Sequence, residues 1–298
     1  MRPIFEWKLR SRTLTLGRRT LIMGVINATP DSFSDGGQFL SPSRAVEHGL
    51  ELLAEGADIL DIGGESTRPG ARQIVPEEEE QKRVVPVIEE ILRQSPGAVI
   101  SIDTYKAATA KIAVQSGAEI VNDVSGFTWD VQMLPALAAI QCGCVLMHTR
   151  GRPAEWRELP ALEDREVLPV VKSDLRRLAE RATAAGIAED RIVLDPGFGF
   201  GKRLNENFPL LAQLHELHQL GFPVLAGPSR KSFIAKAVGA GDEVPVSERL
   251  AGTIAAVTTS ILEGAHVVRV HDVRSMVEAA RVADAVLVQL TDCKSHVQ

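Results

Sequence analysis

The chain has 298 residues, and its 45% hydrophobic and 24% charged content is that of a globular protein, which excludes disordered and fibrous classes. Its formal net charge of −6 argues against a nucleic-acid partner, because such partners usually require a basic face. Three cysteines are too few for a disulfide framework, and Met1–Lys8 carries charges where a signal peptide needs an apolar stretch. We therefore expect a cytoplasmic location. We expect no membrane partner either, because polar residues interrupt the most apolar stretch, 250–268.

The first predicted element is a short hairpin within Ile4–Thr20, where apolar and polar residues alternate. Its apolar positions include Phe5, Trp7 and Leu9 on one side of the turn and Leu14 on the other. We expect this hairpin to plug the bottom of the fold that follows it.

One pattern then recurs eight times: a short apolar run ends near a polar residue and leads into a helical stretch. The runs are Leu21–Asn27, Asp58–Gly63, Val99–Asp103, Ile120–Asp123, Gly143–His148, Arg191–Asp195, Pro223–Gly227 and His266–Asp272. Continuous apolar runs of this length are typical of strands that are buried on both faces in a parallel sheet.

Amphipathic stretches of helical periodicity separate these runs. They are Ser43–Glu55, Pro76–Gln94, Lys106–Gln115, Val131–Ile140, Asp164–Ala185, Glu206–Leu220, Lys231–Val238, Ser247–Glu263 and Arg274–Leu290. Eight strand–helix units predict a (β/α)₈ barrel, and a doubly wound sheet is the second interpretation. We expect one domain over 1–298, with the hairpin at 1–20, the barrel at 21–290 and a tail at 291–298.

Polar side chains gather where the predicted strands end, which is where a barrel places its active site. They are Asn27, the Gly63–Gly70 loop, Asp103, Asn122, Met147 with His148, Asp195, Lys231, Arg269 and His271. A single polar strand end is usually a satisfied core group. Polar residues at so many strand ends together indicate a functional site.

The residue types in this set predict the ligand. Arg68, Lys231, Arg269 and His271 can donate to a phosphate or carboxylate. Asn27 and the Thr29–Gly37 loop offer oxygens for Mg²⁺. The side chains of Asp103, Asn122 and Asp195 suit a flat heterocycle with an amidine-like edge. We therefore predict a phosphorylated or pyrophosphorylated ring as substrate.

Two further patterns carry less weight. The segment Gly197–Lys202 resembles a nucleotide-binding loop, but Arg203 stands where a P-loop requires Ser or Thr. We interpret it as a loop whose Phe200 covers a ring. Lys231 could form a Schiff base, but its basic, polar surroundings favour contact with an anion or a ring.

Seven segments together resemble the dihydropteroate synthase family over nearly the whole chain. They are 23–37 (MGVINATPDSFSDGG), 61–71 (DIGGESTRPGA), 101–104 (SIDT), 121–123 (VND), 194–202 (LDPGFGFGK), 229–232 (SRKS) and 269–273 (RVHDV). The resemblance implies a transferase of folate synthesis that joins p-aminobenzoate to 6-hydroxymethyl-7,8-dihydropterin diphosphate with Mg²⁺ and releases diphosphate. It also implies inhibition by sulfonamides and a homodimer formed through outer helices.

The same resemblance implies a role for each matching residue. The pterin contacts would be Asp103, Asn122, Met147, Asp195, Phe200 and Lys231. The diphosphate contacts would be Asn27, Thr67, Arg68, Arg269 and His271, with Asn27 also the Mg²⁺ ligand. The p-aminobenzoate pocket would comprise Phe33, Arg68, Pro69, Lys231 and Ser232. Asp103, Lys231, Arg269 and His271 would be catalytic, with Asp103 stabilising a pterin cation as diphosphate leaves.

The chain departs from the family pattern after His148, where Thr149–Trp156 replaces the usual Met and Gly-x-Pro-x-x-Met stretch, and at Ala226–Pro228. These departures affect the pocket walls rather than the implied ligands. Two alternatives stay open: a pterin-binding paralogue that has lost synthesis, and a pterin-dependent methyltransferase domain. The second would need a corrinoid module, for which the chain has no length left. The first is opposed by retention of the residues implied for diphosphate and the second substrate, which are Asn27, Arg68, Lys231, Arg269 and His271.

Overall fold

The computed structural model describes residues 2–28, 42–65, 75–242 and 244–295, and the side chains up to 290. Two antiparallel strands form the predicted hairpin: β1 (Phe5–Lys8) and β2 (Thr13–Leu16), with Phe5 opposite Leu16. Trp7 is buried and its Nε1 donates to the carbonyl of Arg191, 2.9 Å away. The predicted plug is confirmed, because Trp7 packs in one cluster with apolar residues from the barrel strands.

Eight parallel strands form the barrel. They are β3 (Leu21–Asn27), β4 (Ile59–Gly63), β5 (Ile100–Asp103), β6 (Ile120–Asp123), β7 (Gly143–Met147), β8 (Ile192–Asp195), β9 (Leu225–Ala226) and β10 (Val267–Val270). The sheet runs β8-β7-β6-β5-β4-β3-β10-β9. A parallel bridge between Leu194 and Val224 brings the two ends together. The (β/α)₈ prediction is therefore correct, and the doubly wound alternative is not.

Helices follow the strands on the outside. They are α1 (Pro42–Glu55), α2 (Glu77–Gln94), α3 (Ala107–Gln115), α4 (Met133–Ile140), α5 (Asp164–Ala184), α6 (Asn207–Ala212), α7 (Ser232–Val238), α8 (Leu250–Leu262) and α9 (Val273–Ser295). The predicted helix Glu206–Leu220 is divided into α6 and a 3₁₀ segment, Leu214–Leu220. Helix α9 runs on to Ser295, past the expected start of the tail. No helix in the described part of the chain is both long and apolar enough to span a membrane.

The inside of the barrel changes from apolar to polar along the strands. The lower layers hold Val99, Ile120 and Val145 with the hairpin. The register then aligns Asn27 with Gly63, Gly63 with Asp103, and Asp103 with Asn122 at the carboxyl ends. Since neighbouring strands are in register, residues separated along the sequence by whole helices share one level, and this level forms the floor of the site.

Candidate active site

A cavity of about 460 Å³ opens at the carboxyl ends of the strands. Seven of the predicted site residues line it: Asn27, Asp103, Phe200, Lys231, Ser232, Arg269 and His271. Cationic side chains and a carboxylate therefore face one space, which is the charge arrangement that the sequence predicts.

Asp103 and Arg269 meet at the floor of this cavity. Arg269 Nη2 donates to Asp103 Oδ2 at 2.7 Å, and its Nε donates to Asp61 Oδ2 at 2.6 Å. Burial raises the pKa of Asp103 well above its usual range, and Arg269 offsets only part of that rise. Within the described residues, Asp103 Oδ1 is buried and has no hydrogen-bond partner. That oxygen is the acceptor which a ligand N–H could satisfy.

Asp195 ends β8 and starts the loop that carries Phe200. Its Oδ1 accepts from the backbone N–H of Gly197 at 2.7 Å. Burial raises the pKa of Asp195 to about 6, although the lysines nearby favour its charged form. Lys202 Nζ donates to the carbonyl of Gly197 at 2.8 Å and so links the two ends of the loop. Burial lowers the pKa of Lys202 to about 7.

Phe200 lies between a cation and a second aromatic ring. Lys231 Nζ is 4.1 Å from the centroid of the Phe200 ring, a cation–π distance. The Trp156 ring meets Phe200 edge to face, with centroids 5.5 Å apart. The departure from the family pattern at Thr149–Trp156 thus places an indole in the cavity wall.

His271 and Arg230 are fixed by polar contacts that link β10 to the loop after β9. The hydroxyl of Ser229 is 3.0 Å from His271 Nδ1, which sets the orientation of the imidazole. Arg230 donates to Asp272 from Nε and Nη2, at 2.9 and 2.5 Å. This pair supports the left-handed backbone of Arg230, whose φ is 60°. The turn leads directly into Lys231, the cap of α7.

Three predicted pterin contacts, Asn122, Met147 and Asp195, are buried and do not line this cavity in the structure. Four other predicted residues, Phe33, Thr67, Arg68 and Pro69, lie outside the described residues. The roles inferred for all of these residues stay predictions.

Sequence reasoning missed Asp61, a fully buried carboxylate two residues before the end of β4. It accepts from Arg269 and, at 3.0 Å, from Asn122 Nδ2. Its signal was available, because Asp61 shares the inward side of the strand with Gly63. Asp61 lies one layer below Gly63, beneath the level of the strand ends.

The residues present fit the divalent cation that the family resemblance implies. Asn27 ends β3, is half-buried and lines the cavity, so its amide oxygen can face a ligand. Mg²⁺ usually keeps several waters and binds through one or two protein groups and substrate phosphates. A single amide oxygen suits this mode of binding, in which the phosphates of a substrate supply the anionic ligands. No cluster of three or more His, Cys, Asp or Glu side chains that could hold a metal occurs among the described residues.

Comparisons with known proteins agree with this geometry. The model of the pterin binding enzyme family matches residues 23–271. A dihydropteroate synthase of Synechocystis sp. is 43% identical over 282 residues, which cover 95% of this chain and 92% of that protein. The chain belongs to the dihydropteroate synthase family. The prediction of a transferase that makes dihydropteroate in folate synthesis is confirmed at the level of this family.

Two solved structures of the family are similar to this one. The Xanthomonas albilineans dihydropteroate synthase with 4-aminobenzoic acid has a TM-score of 0.86 and 43% identity, covering 96% of this chain and 99% of its own. The same enzyme in complex with 7,8-dihydropteroate has a TM-score of 0.83 and 41% identity, covering 95% and 98%. The likeness extends over the whole barrel and not only over the motifs.

Proposed function

We propose that this chain joins p-aminobenzoate to the methylene carbon of 6-hydroxymethyl-7,8-dihydropterin diphosphate and releases diphosphate. The observation that carries the proposal is the cavity itself, where buried Asp103 faces Arg269, His271 and Lys231. Breaking the carbon–oxygen bond leaves positive charge on the pterin and negative charge on the leaving group. A site that holds both signs of charge close together stabilises both developing charges.

The carboxylates grip the pterin ring. Asp103 Oδ1 is a buried acceptor without a partner in the described part of the chain, and Asp195 has a second oxygen besides the one held by Gly197. Two carboxylate oxygens can accept parallel N–H bonds from an amidine-like edge. Asn122 adds a polar contact, and the faces of the ring pack against Met147 and Phe200. The buried Asp103 oxygen without a partner among the described residues supports the assignment of the floor to the pterin.

The cations receive the diphosphate. Arg269 on β10 offers a planar guanidinium, and His271 follows the last residue of that strand. Thr67 and Arg68 complete this contact in our proposal, with Asn27 as the ligand of Mg²⁺. When bound, Mg²⁺ neutralises charge on the departing diphosphate. The pterin cation is stabilised by the Asp103 carboxylate and accepts the aniline nitrogen, whose low basicity requires no strong general base.

The second substrate lies next to Lys231 and Ser232. Ser232 is exposed at the start of α7, and Lys231 bridges this position and Phe200. We assign the other walls of the pocket to Phe33, Arg68 and Pro69. If Mg²⁺-diphosphate and pterin complete the pocket, a sulfonamide should bind more tightly in their presence. Calorimetric titration with and without these ligands tests this, and equal affinity would refute it.

The direct test of the reaction is incubation of the purified chain with pterin diphosphate, p-aminobenzoate and Mg²⁺. We expect dihydropteroate and diphosphate in equal amounts. Asp103→Asn should abolish most of the turnover because an amide cannot stabilise the cation as a carboxylate does. A matched control is Asp190→Asn, an exposed carboxylate at the amino ends of the strands, which should leave turnover unchanged. Absence of product with the unaltered chain would refute the proposal.

We also propose a homodimer formed through the outer surface of α9. Val282, Val286 and Leu290 are exposed there and line a shallow groove of about 600 Å³. An apolar stripe of this kind is typical of an interface, and a second copy would cover it. Val282→Glu should therefore shift the mass measured by light scattering from dimer to monomer. Val131→Glu, at an exposed valine elsewhere, is the control.

We place the reaction in the cytoplasm. The cysteines Cys142 and Cys144 are buried free thiols, which is compatible with a reducing compartment. Fractionation of cells that express the tagged chain tests this assignment.

A further inference from the structure

Asp61 occupies the layer directly below the floor of the cavity. The strand register aligns it with Val25 on one side and Ser101 on the other. Its side chain is fully buried, and Asp61 is not among the residues that line the cavity. In this structure it contacts Asn122 and Arg269, two side chains that are proposed to bind the ligand.

Those two side chains belong to different halves of the site. Asn122 Nδ2 donates to Asp61 Oδ2 at 3.0 Å, and Arg269 Nε donates to the same oxygen at 2.6 Å. Asp61 engages one N–H of the Asn122 amide and so fixes the orientation of that amide. The guanidinium of Arg269 is anchored at Nε, and its remaining N–H groups have a fixed direction.

Arg269 has a second carboxylate partner that differs from the first in its exposure to the cavity. Its Nη2 donates to Asp103 Oδ2 at 2.7 Å, and Asp103 lines the cavity. In this structure Asp103 lines the cavity and Asp61 lies one layer below it. The contact with Asp103 can therefore be exchanged for a substrate contact, while the contact with Asp61 is kept.

We propose that Asp61 is the positioning residue that couples pterin binding to diphosphate binding. It holds the Asn122 amide and the Arg269 guanidinium at once, so that Nη2 of Arg269 can pass from Asp103 to a phosphate oxygen without the guanidinium leaving its place. The exchange frees Asp103 for the pterin as Arg269 engages the diphosphate. This proposal rests on the function proposed above.

The substitution Asp61→Asn distinguishes the positioning role from a simple effect of charge on ligand affinity. By Coulomb attraction alone, Asp61→Asn would strengthen the binding of inorganic diphosphate, because it removes a negative charge beside the anion site. The positioning role predicts the opposite. Without Asp61, Arg269 pairs with Asp103 alone, and each ligand must break that tighter pair. We expect the dissociation constants of bare pterin and of inorganic diphosphate each to rise about tenfold.

A double-mutant cycle tests the exchange. Asp103→Asn alone should tighten the binding of diphosphate, because it removes the competitor for Nη2. The pair Asp61→Asn with Asp103→Asn should bind diphosphate better than Asp61→Asn alone. Asp61→Asn should thus weaken diphosphate binding, whereas Asp103→Asn should strengthen it. These opposite effects are not expected if Asp61 only stabilises the fold. Asp123→Asn is the control: Asp123 is equally buried, but on the opposite side of its strand from Asn122, and its oxygen accepts from Ser125.

A second variant covers the case in which Asp61→Asn does not fold. Arg269→Lys keeps the positive charge and the full Asp61 side chain, but all its donors lie on one nitrogen, so it cannot reach Asp61 and a phosphate oxygen from two separate atoms. We expect diphosphate affinity to fall about tenfold. Wild-type affinity in Arg269→Lys, or in a folded Asp61→Asn, would overturn the proposal. A wild-type chain that binds neither pterin nor diphosphate would instead overturn the proposed function.

Discussion

Replacement of Asp195 tests the pterin site most sharply, because two substitutions divide its contacts. Asp195→Ala removes both the proposed grip on the pterin and the hydrogen bond that accepts from Gly197 at 2.7 Å. Asp195→Asn can keep the second contact through its amide oxygen. It turns the other oxygen into a donor, which faces the N–H groups of the ring instead of accepting from them.

The magnitude follows from these contacts. A hydrogen bond to a charged group is worth about 1.5–3 kcal/mol, so loss of the ring contact in either variant should raise the dissociation constant of bare pterin by about 10- to 150-fold. The Gly197 contact is worth about 1 kcal/mol. Asp195→Ala should therefore be less stable to unfolding than Asp195→Asn by about that amount.

Calorimetry with bare pterin and denaturant unfolding measure the two effects separately. The pH gives a further check, because burial raises the pKa of Asp195 to about 6. Only the ionised carboxylate can accept one hydrogen bond from Gly197 and another from the ring with its two oxygens. The pterin affinity of the wild type should therefore fall as the pH drops below about 6, and the affinity of Asp195→Asn should not fall in parallel. Pterin binding by Asp195→Asn at wild-type affinity would refute the assignment.

Three further predictions concern stability and the leaving group. Lys106 is buried and pairs with Glu65 and Glu80, at 2.5 and 3.0 Å. Lys106→Met should lower the free energy of unfolding by about 3–5 kcal/mol, as measured with denaturant. The control Lys82→Met, at an exposed lysine, should lower it by less than about 0.5 kcal/mol. Burial raises the pKa of Asp123 from 3.8 to about 7, so its contribution to stability is full below 3.8 and is lost as the pH rises through 7. As the pH rises from 3.8 to about 7, the free energy of unfolding of Asp123→Asn should rise relative to wild type by up to about 1.4 kcal/mol per pH unit. A difference between the two proteins that does not change with pH would contradict this. His271→Ala should lower turnover by about 10- to 100-fold and leave the affinity for bare pterin nearly unchanged, which calorimetry beside a steady-state assay can check.

The sequence determined the architecture because its signals are local. A short apolar run predicts each strand, and helical periodicity predicts each crossover, so the eight strand–helix units could be counted from the sequence. The hairpin and its role as a plug followed from alternation at Phe5, Trp7 and Leu9. The least regular unit was predicted least well: Glu206–Leu220 is divided by a 3₁₀ segment, and β9 has only two residues.

The set of site residues could also be predicted from the sequence, because the carboxyl ends of all strands meet at one face of a barrel. The pairing of those residues was not. Arg269 and Asp61 are 208 positions apart, and Asn122 is 61 positions from Asp61. No periodicity spans such distances, and only closure of the barrel brings three strands to a single carboxylate. The tertiary structure therefore decided which acid holds Arg269 from below the floor and which one faces the ligand.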